Sequence, residues 1–278
     1  MSSTTAKVLI LCKTYPSPSA KYSETSCVAG LTDQGRLIRL FPVPFRLISD
    51  EQQFRKWQWV EARVEKSRDD HRPESHRVFI DTINADSEPM QSGKKGWPLR
   101  MALLDKAPRF DSFEAMEQAR LSTGLSLAVL KPSRIVSLEI KPAKDSEWSP
   151  EELAKLARWQ QQDGLFDEDA ATKDVKLLEK LPFDFYYHCE FDVGDETHAK
   201  RIKLVDWEVG ALYRNLRRQY GPSGWEAPFR QKYEQELPSR DLLLMMGTVH
   251  RFPDQWLGIS VFTPPKPQPE GDDQGSLF

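Results

Sequence analysis

The sequence predicts an α+β fold: a twisted antiparallel, barrel-like sheet carrying helical insertions. Three observations predict it. Segments with strand patterning come in runs, separated by helix-patterned segments without strict β-α-β alternation. Several of these runs alternate polar and apolar residues, which suits a sheet with one buried face. The composition, 39% apolar and 29% charged, is that of an ordinary globular chain.

Residues 7–12 form a short apolar run with β-branched members and read as a buried strand. A loop with Pro16 and Pro18 follows. Residues 26–31 and 36–41, joined by the turn Asp33-Gln34-Gly35, read as a hairpin with Arg36 and Arg39 on its basic side. Residues 57–64 predict a strand with Trp57, Trp59, Glu61 and Arg63 on one face, and 77–83 its return partner. Residues 98–106 and 112–121 read as short helices, the second capped by Ser112. Strands follow at 125–130 and 134–140. Ser149-Pro150-Glu151-Glu152 starts a helix, with Ser as cap, Pro at the first position and Glu at the third. Leu153, Leu156, Ala157 and Trp159 form its apolar side, and a loop is expected over 164–172. Long strands are expected at 183–193 and 200–205. Asp206 caps a helix whose Val209, Leu212, Tyr213, Leu216 and Tyr220 fall at helical spacing, with Arg214, Arg217 and Arg218 toward its C-terminal end. A helix over 225–237 and strands at 242–249 and 256–262 complete the body.

The totals restrict the functional classes. No apolar run approaches the ~20 residues a membrane span requires, and the polar start does not read as a signal peptide. Cys12, Cys27 and Cys189 are too few and scattered for a disulfide framework, so a cytoplasmic protein with reduced thiols is expected. Net charge is −3, but residues 1–142 hold 22 Lys+Arg against 17 Asp+Glu, a balance of +5, and the rest 17 against 25, a balance of −8. The basic half is the one suited to phosphates. The expected division is therefore a basic β-rich domain over 1–142, an α+β domain over 143–263, and a tail over 264–278.

The tail carries four prolines, one glycine and three acids between Pro264 and Asp273. Such a stretch cannot offset the entropy of ordering itself and reads as disordered. It ends in Gln274-Gly275-Ser276-Leu277-Phe278. This pentapeptide resembles the motif that binds the bacterial sliding clamp, the β subunit of DNA polymerase III. Gln274, Ser276, Leu277 and Phe278 match, and Gly275 replaces the leucine often found second. The resemblance implies that Leu277 and Phe278 fill an apolar pocket of the clamp while Gln274 hydrogen-bonds at its rim. The proline-rich leash, at roughly 3 Å per residue, would hold the body on the order of 30 Å away.

The body offers four constellations. Lys13, Tyr15, Lys21, Tyr22, Arg36, Arg39 and Arg46, with Arg68 and Arg72 in the following loop, form a basic-aromatic set. Cations reach phosphates and planar rings stack on unpaired bases, so contact with DNA, single-stranded included, is expected there. A small barrel reading an extruded base in this way resembles PUA and ASCH-type modules. Cys27, with His71 and His76 elsewhere in the chain, is a candidate nucleophile, although its place in an apolar strand reads as a structural thiol. Glu139-Ile140-Lys141, with Asp111 or Asp105 upstream, has the Glu-x-Lys pattern of metal-dependent nucleases, in which case Mg²⁺ is the cofactor. Otherwise no cofactor is predicted. His188, Cys189 and His198 lack the paired spacing of a zinc site, and no metal site is predicted. Walker, dinucleotide-fingerprint, Gly-x-Ser-x-Gly and His-Glu-x-x-His motifs do not occur in the sequence. Three readings follow: a clamp-tethered nucleic-acid binder in repair, replication control or defence against mobile DNA; a nuclease or base-processing enzyme; and an adaptor without nucleic-acid contact.

Overall fold

A computed structural model describes residues 3–162 and 177–267, with backbone alone for 158–162. The expected loop at 164–172, the contribution of Trp159, and the tail residues Gln274, Ser276, Leu277 and Phe278 lie outside the described residues.

The N-terminal part is a closed barrel of five strands. Its strands are β1 (Thr4–Lys13), β3 (Ser23–Thr32), β4 (Leu37–Val43), β5 (Trp59–Lys66) and β6 (Ser75–Val78). The short β2 (Ser17–Ser19) pairs with β3, and β7 (Asn84–Ala85) pairs with β5. The ring runs β1-β3-β4-β6-β5 and closes through β1 against β5. Four of its pairings are antiparallel, and β4 and β6 run parallel within the ring. Closure removes the edges that an open sheet would expose. Val8, Ile10, Val28, Ile38, Leu40, Val60, Ala62 and Val64 alternate inward to fill the barrel, each large side chain contributing about 1.5–3 kcal/mol.

The second sheet has the order β10-β11-β12-β14-β13-β9-β8. Its members are β8 (Arg109–Phe110), β9 (Leu127–Leu130), β10 (Arg134–Pro142), β11 (Phe183–Val193), β12 (Glu196–Leu204), β13 (Leu243–Thr248) and β14 (Trp256–Phe262). Strands β8 to β10 therefore add residues 109–142, grouped by sequence with the basic half, to the sheet of the C-terminal half. β9 and β13 are buried throughout, which explains their unbroken apolar runs. Leu127, Val129, Leu243 and Met245 face the outer surface of β1 and β3. Ala128, Leu130, Leu244 and Met246 face the opposite way, into a core with Phe229 and Tyr233.

Among the described residues five α-helices cover this frame: α1 (Trp97–Leu104), α2 (Phe113–Thr123), α3 (Pro150–Gln162), α4 (Trp207–Gly224) and α5 (Glu226–Arg230), with a π-helical turn over Gln231–Glu236. The caps form as the sequence predicts. Ser112 Oγ accepts from Ala115 N–H at 3.2 Å. Ser149 Oγ accepts from Glu152 N–H while Glu152 accepts from Ser149 N–H, a reciprocal box. α4 breaks at Gly221, whose φ of 78° precedes Pro222; of the expected apolar stripe, Val209, Leu212, Tyr213 and Leu216 meet the core and Tyr220 is exposed. No helix among the described residues is long and apolar enough to cross a membrane.

Candidate nucleic-acid interface

The seam between barrel and second sheet holds a pocket of about 420 Å³. Three separated segments build it. Arg55, Lys56 and Trp57 come from the turn before β5, Trp97 and Arg100 from α1, and Val261, Phe262 and Thr263 from the end of β14, with Glu208 and Leu237 at the side. Trp57 was expected on the strand face of Trp59, Glu61 and Arg63; it instead precedes the strand in a left-handed turn, φ 67°. Both its backbone groups are used: Trp57 N–H donates to Ile10 O and Trp57 O accepts from Met90 N–H. That conformation carries backbone strain of order 1–3 kcal/mol, held by its surroundings. It turns the indole inward, edge-on to Trp97 at 5.7 Å and against Phe262 at 5.3 Å. Gly96 places Trp97 at the start of α1, because a Cβ there would lie 1.8 Å from Gln91 O. The Arg100 guanidinium lies 4.8 Å from the Trp57 ring centre and 5.5 Å from that of Trp97, and it donates to Met90 O at 2.8 Å.

Behind the pocket lies a polar cluster at the N-terminus of α4. Lys56 Nζ donates to Glu208 Oε2 at 2.7 Å and to Val261 O at 3.0 Å. Burial alone would lower the Lys56 pKa, but Glu208 and Asp206 reverse that and hold it above the usual lysine value. Asp206 caps α4 by accepting from Glu208 N–H and also accepts from Ser260 Oγ–H at 3.2 Å. Burial pushes its carboxyl up to about 6, against the pull of Lys56. Lys13, at the end of β1, turns into the barrel mouth. Its Nζ lies 3.3 Å from the Phe45 ring centre, within 5.4 Å of those of Phe54 and Trp207, and donates to Phe54 O. Burial pushes this amine down to about 7.

The basic-aromatic set expected from sequence does not form one surface. Arg39 is buried, 2% exposed, and donates to Ser75 Oγ, Ser126 Oγ and Ser126 O. It cannot reach a phosphate, which corrects that expectation: Arg39 stands between Ile38 and Leu40, which fill the barrel, so it lies on the outer face of β4, where Ser126 and β9 cover it. Arg72 is also committed, bidentate to Asp70 and donating to Thr248 O. Arg46 lies 3.3 Å from Glu24, and Tyr15 is bound by Arg214 and Glu179 O. Lys21 lies over Tyr22, while Tyr22 lines a separate, more apolar groove of about 520 Å³ with Pro44 and Phe79. Arg36 and Arg68 are exposed. None of these residues lines the seam pocket. The adjacent Arg55, Lys56 and Trp57 were the sequence signal for it, a basic-aromatic run just beyond the segment singled out.

The other candidates are accounted for in the same way. Burial raises the Cys27 thiol above its usual value, partly offset by the nearby Arg39; this opposes the thiolate a nucleophile requires. Glu139 accepts from both Nε and Nη2 of Arg201 and meets His188 Nε2 at 2.8 Å. The Arg201 fork, aided by His188, holds its carboxyl down to about 2. Lys141 pairs in register with Asp184, two positions along β10 from Glu139, and Asp111 is exposed beside the Ser112 cap. Among the described residues no three His, Cys, Asp or Glu side chains gather as a metal site.

Fold and pocket together define a two-part α+β protein: a closed barrel docked on a seven-stranded sheet, with a cationic, aromatic pocket at the junction. The chain belongs to the family described as domain of unknown function DUF8757, whose model matches residues 109–278. A second family model, described as domain of unknown function DUF8758, matches residues 4–106. Comparison with curated proteins finds no match.

Proposed function

We propose that this chain is a nucleic-acid-binding protein tethered to the replication sliding clamp by Gln274, Ser276, Leu277 and Phe278. It acts in the cytoplasm, in DNA repair, replication control or defence against mobile DNA. The observation that carries nucleic-acid contact is the seam pocket, where Arg55, Lys56 and Arg100 stand with Trp57, Trp97 and Phe262 against the single acid Glu208. Cations for phosphate and rings for bases are the two components such binding uses. Tethering complements a small contact surface, because it raises the effective concentration of DNA at the pocket to about the millimolar range. The C-terminal resemblance supports the clamp half of the reading. The free thiols of Cys12, Cys27 and Cys189 agree with a reducing compartment.

The test is a pull-down and surface-binding assay with purified clamp. The full chain is expected to bind, and a chain ending at Asp273 to lose at least about 100-fold in affinity, since the motif's two large apolar residues would act as the anchors. Equal binding by both chains rejects the tether. A parallel titration with a single-stranded oligonucleotide is expected to weaken steeply as salt rises; no binding at low salt removes the nucleic-acid half.

A further inference from the structure

Arg100 has the environment of an anion receptor. Its side chain belongs to a residue only 8% exposed, yet Nε has no hydrogen-bond partner among the described residues. One terminal nitrogen is fixed by Met90 O and the two indoles hold the guanidinium plane. Burial alone pushes the group below its usual pKa, with no carboxylate opposing it. The pocket's one acid, Glu208, is bonded to Lys56 at 2.7 Å. Arg100 lines the pocket with its Nε buried and unsatisfied, and an arginine fork matches two oxygens of one phosphate. Arg55 lines the same pocket and is exposed. The remaining walls, Trp57, Trp97, Val261 and Phe262, are apolar and suit a flat ring system. A volume of about 420 Å³ fits one small ligand and excludes a duplex.

We infer that the seam pocket binds a nucleoside 5′-phosphate, with the phosphate on Arg100 and Arg55 and the base along the aromatic wall. This deepens the nucleic-acid reading and rests on it where the source is the 5′-phosphorylated end of a strand. The same chemistry in a free mononucleotide is the other source.

The experiment compares three probes on the full-length protein: a single-stranded oligonucleotide with a 5′-phosphate, the same oligonucleotide with a 5′-hydroxyl, and a nucleoside 5′-monophosphate. Binding is read by anisotropy for the strands and by tryptophan fluorescence for the mononucleotide. The phosphorylated strand is expected to bind at least about tenfold tighter than the hydroxyl strand. Arg100→Gln should abolish that preference. Because Arg100 packs between indoles, Arg55→Gln serves as the second variant; it lies at the surface and should cut the preference about threefold with an unchanged circular dichroism spectrum. Both strands binding equally overturns the inference and leaves the broader nucleic-acid reading intact. Mononucleotide binding lost in Arg100→Gln, without strand binding, supports the pocket and assigns its ligand to the free nucleotide. Failure of all three probes overturns both.

Discussion

Replacing Glu74 by alanine is expected to lower the unfolding free energy by about 3–5 kcal/mol, the cost of breaking a buried charge network. Glu74 stands immediately before β6, 8% exposed. Its carboxylate accepts from Ser126 N–H at 2.9 Å, Leu127 N–H at 3.2 Å and Ser126 Oγ–H at 2.6 Å. Arg39, on β4, bonds to the same Ser126 through its hydroxyl and carbonyl. The network thus joins the barrel to the first residues of β9. Alanine leaves two backbone donors and the Ser126 hydroxyl without their acceptor and removes a negative charge that favours the buried Arg39 cation, and each buried unsatisfied group costs about 1–3 kcal/mol. Urea denaturation measures the loss. The double variant Arg39→Met with Glu74→Leu removes both charges and is expected to recover part of it, because the Ser126 and Leu127 N–H groups stay unpaired in both variants. A loss below about 1 kcal/mol in the single variant, or no recovery in the double, contradicts this account.

Lys13→Met is expected to stabilise the protein near neutral pH, and the gain should fade as pH rises. The native amine is pushed from 10.5 down to about 7 by burial. Above pH 10.5 Lys13 is neutral in both folded and unfolded chains and carries no penalty. As pH falls from 10.5 toward 7, the unfolded chain takes up the proton and the folded chain does not, so stability is lost across that window. At ~1.4 kcal/mol per pKa unit the upper bound is about 5 kcal/mol. The hydrogen bond to Phe54 O and the attraction of the ammonium to Phe45 offset part of it, leaving about 2–4 kcal/mol. Denaturation of both proteins at pH 7 and pH 10 isolates the term, because groups shared by the two proteins cancel in the double difference. A gain that is flat between the two pH values rejects it.

What was legible from sequence followed local physics. The Ser149 box, the Ser112 cap and the Asp206 cap depend on residues within four positions of each other, and each forms. The apolar run at 7–12 announced a buried strand and the alternation of β11 a strand buried on one face. Arg39 and Trp57 misled for different reasons. Arg39 keeps strict alternation with Ile38 and Leu40, and the outer face it occupies is buried because Ser126 and β9 dock there; Trp57 sits in a left-handed turn, so its side chain leaves the face that alternation assigns. The seam pocket was out of reach because Trp57, Arg100 and Phe262 meet only after β1 docks against β14 and α1 folds over the junction.

By itself, the sequence determined the α+β class, the positions of the helix caps and the apolar faces. These depend on residue periodicity and near neighbours. Only the tertiary structure decided that the first sheet closes into a barrel with a parallel pair, that Arg39 and Arg72 serve the interior, and that Arg55, Trp97 and Arg100 share a pocket. Those outcomes depend on strand register and on which faces meet, and both are set by contacts between residues far apart in the chain.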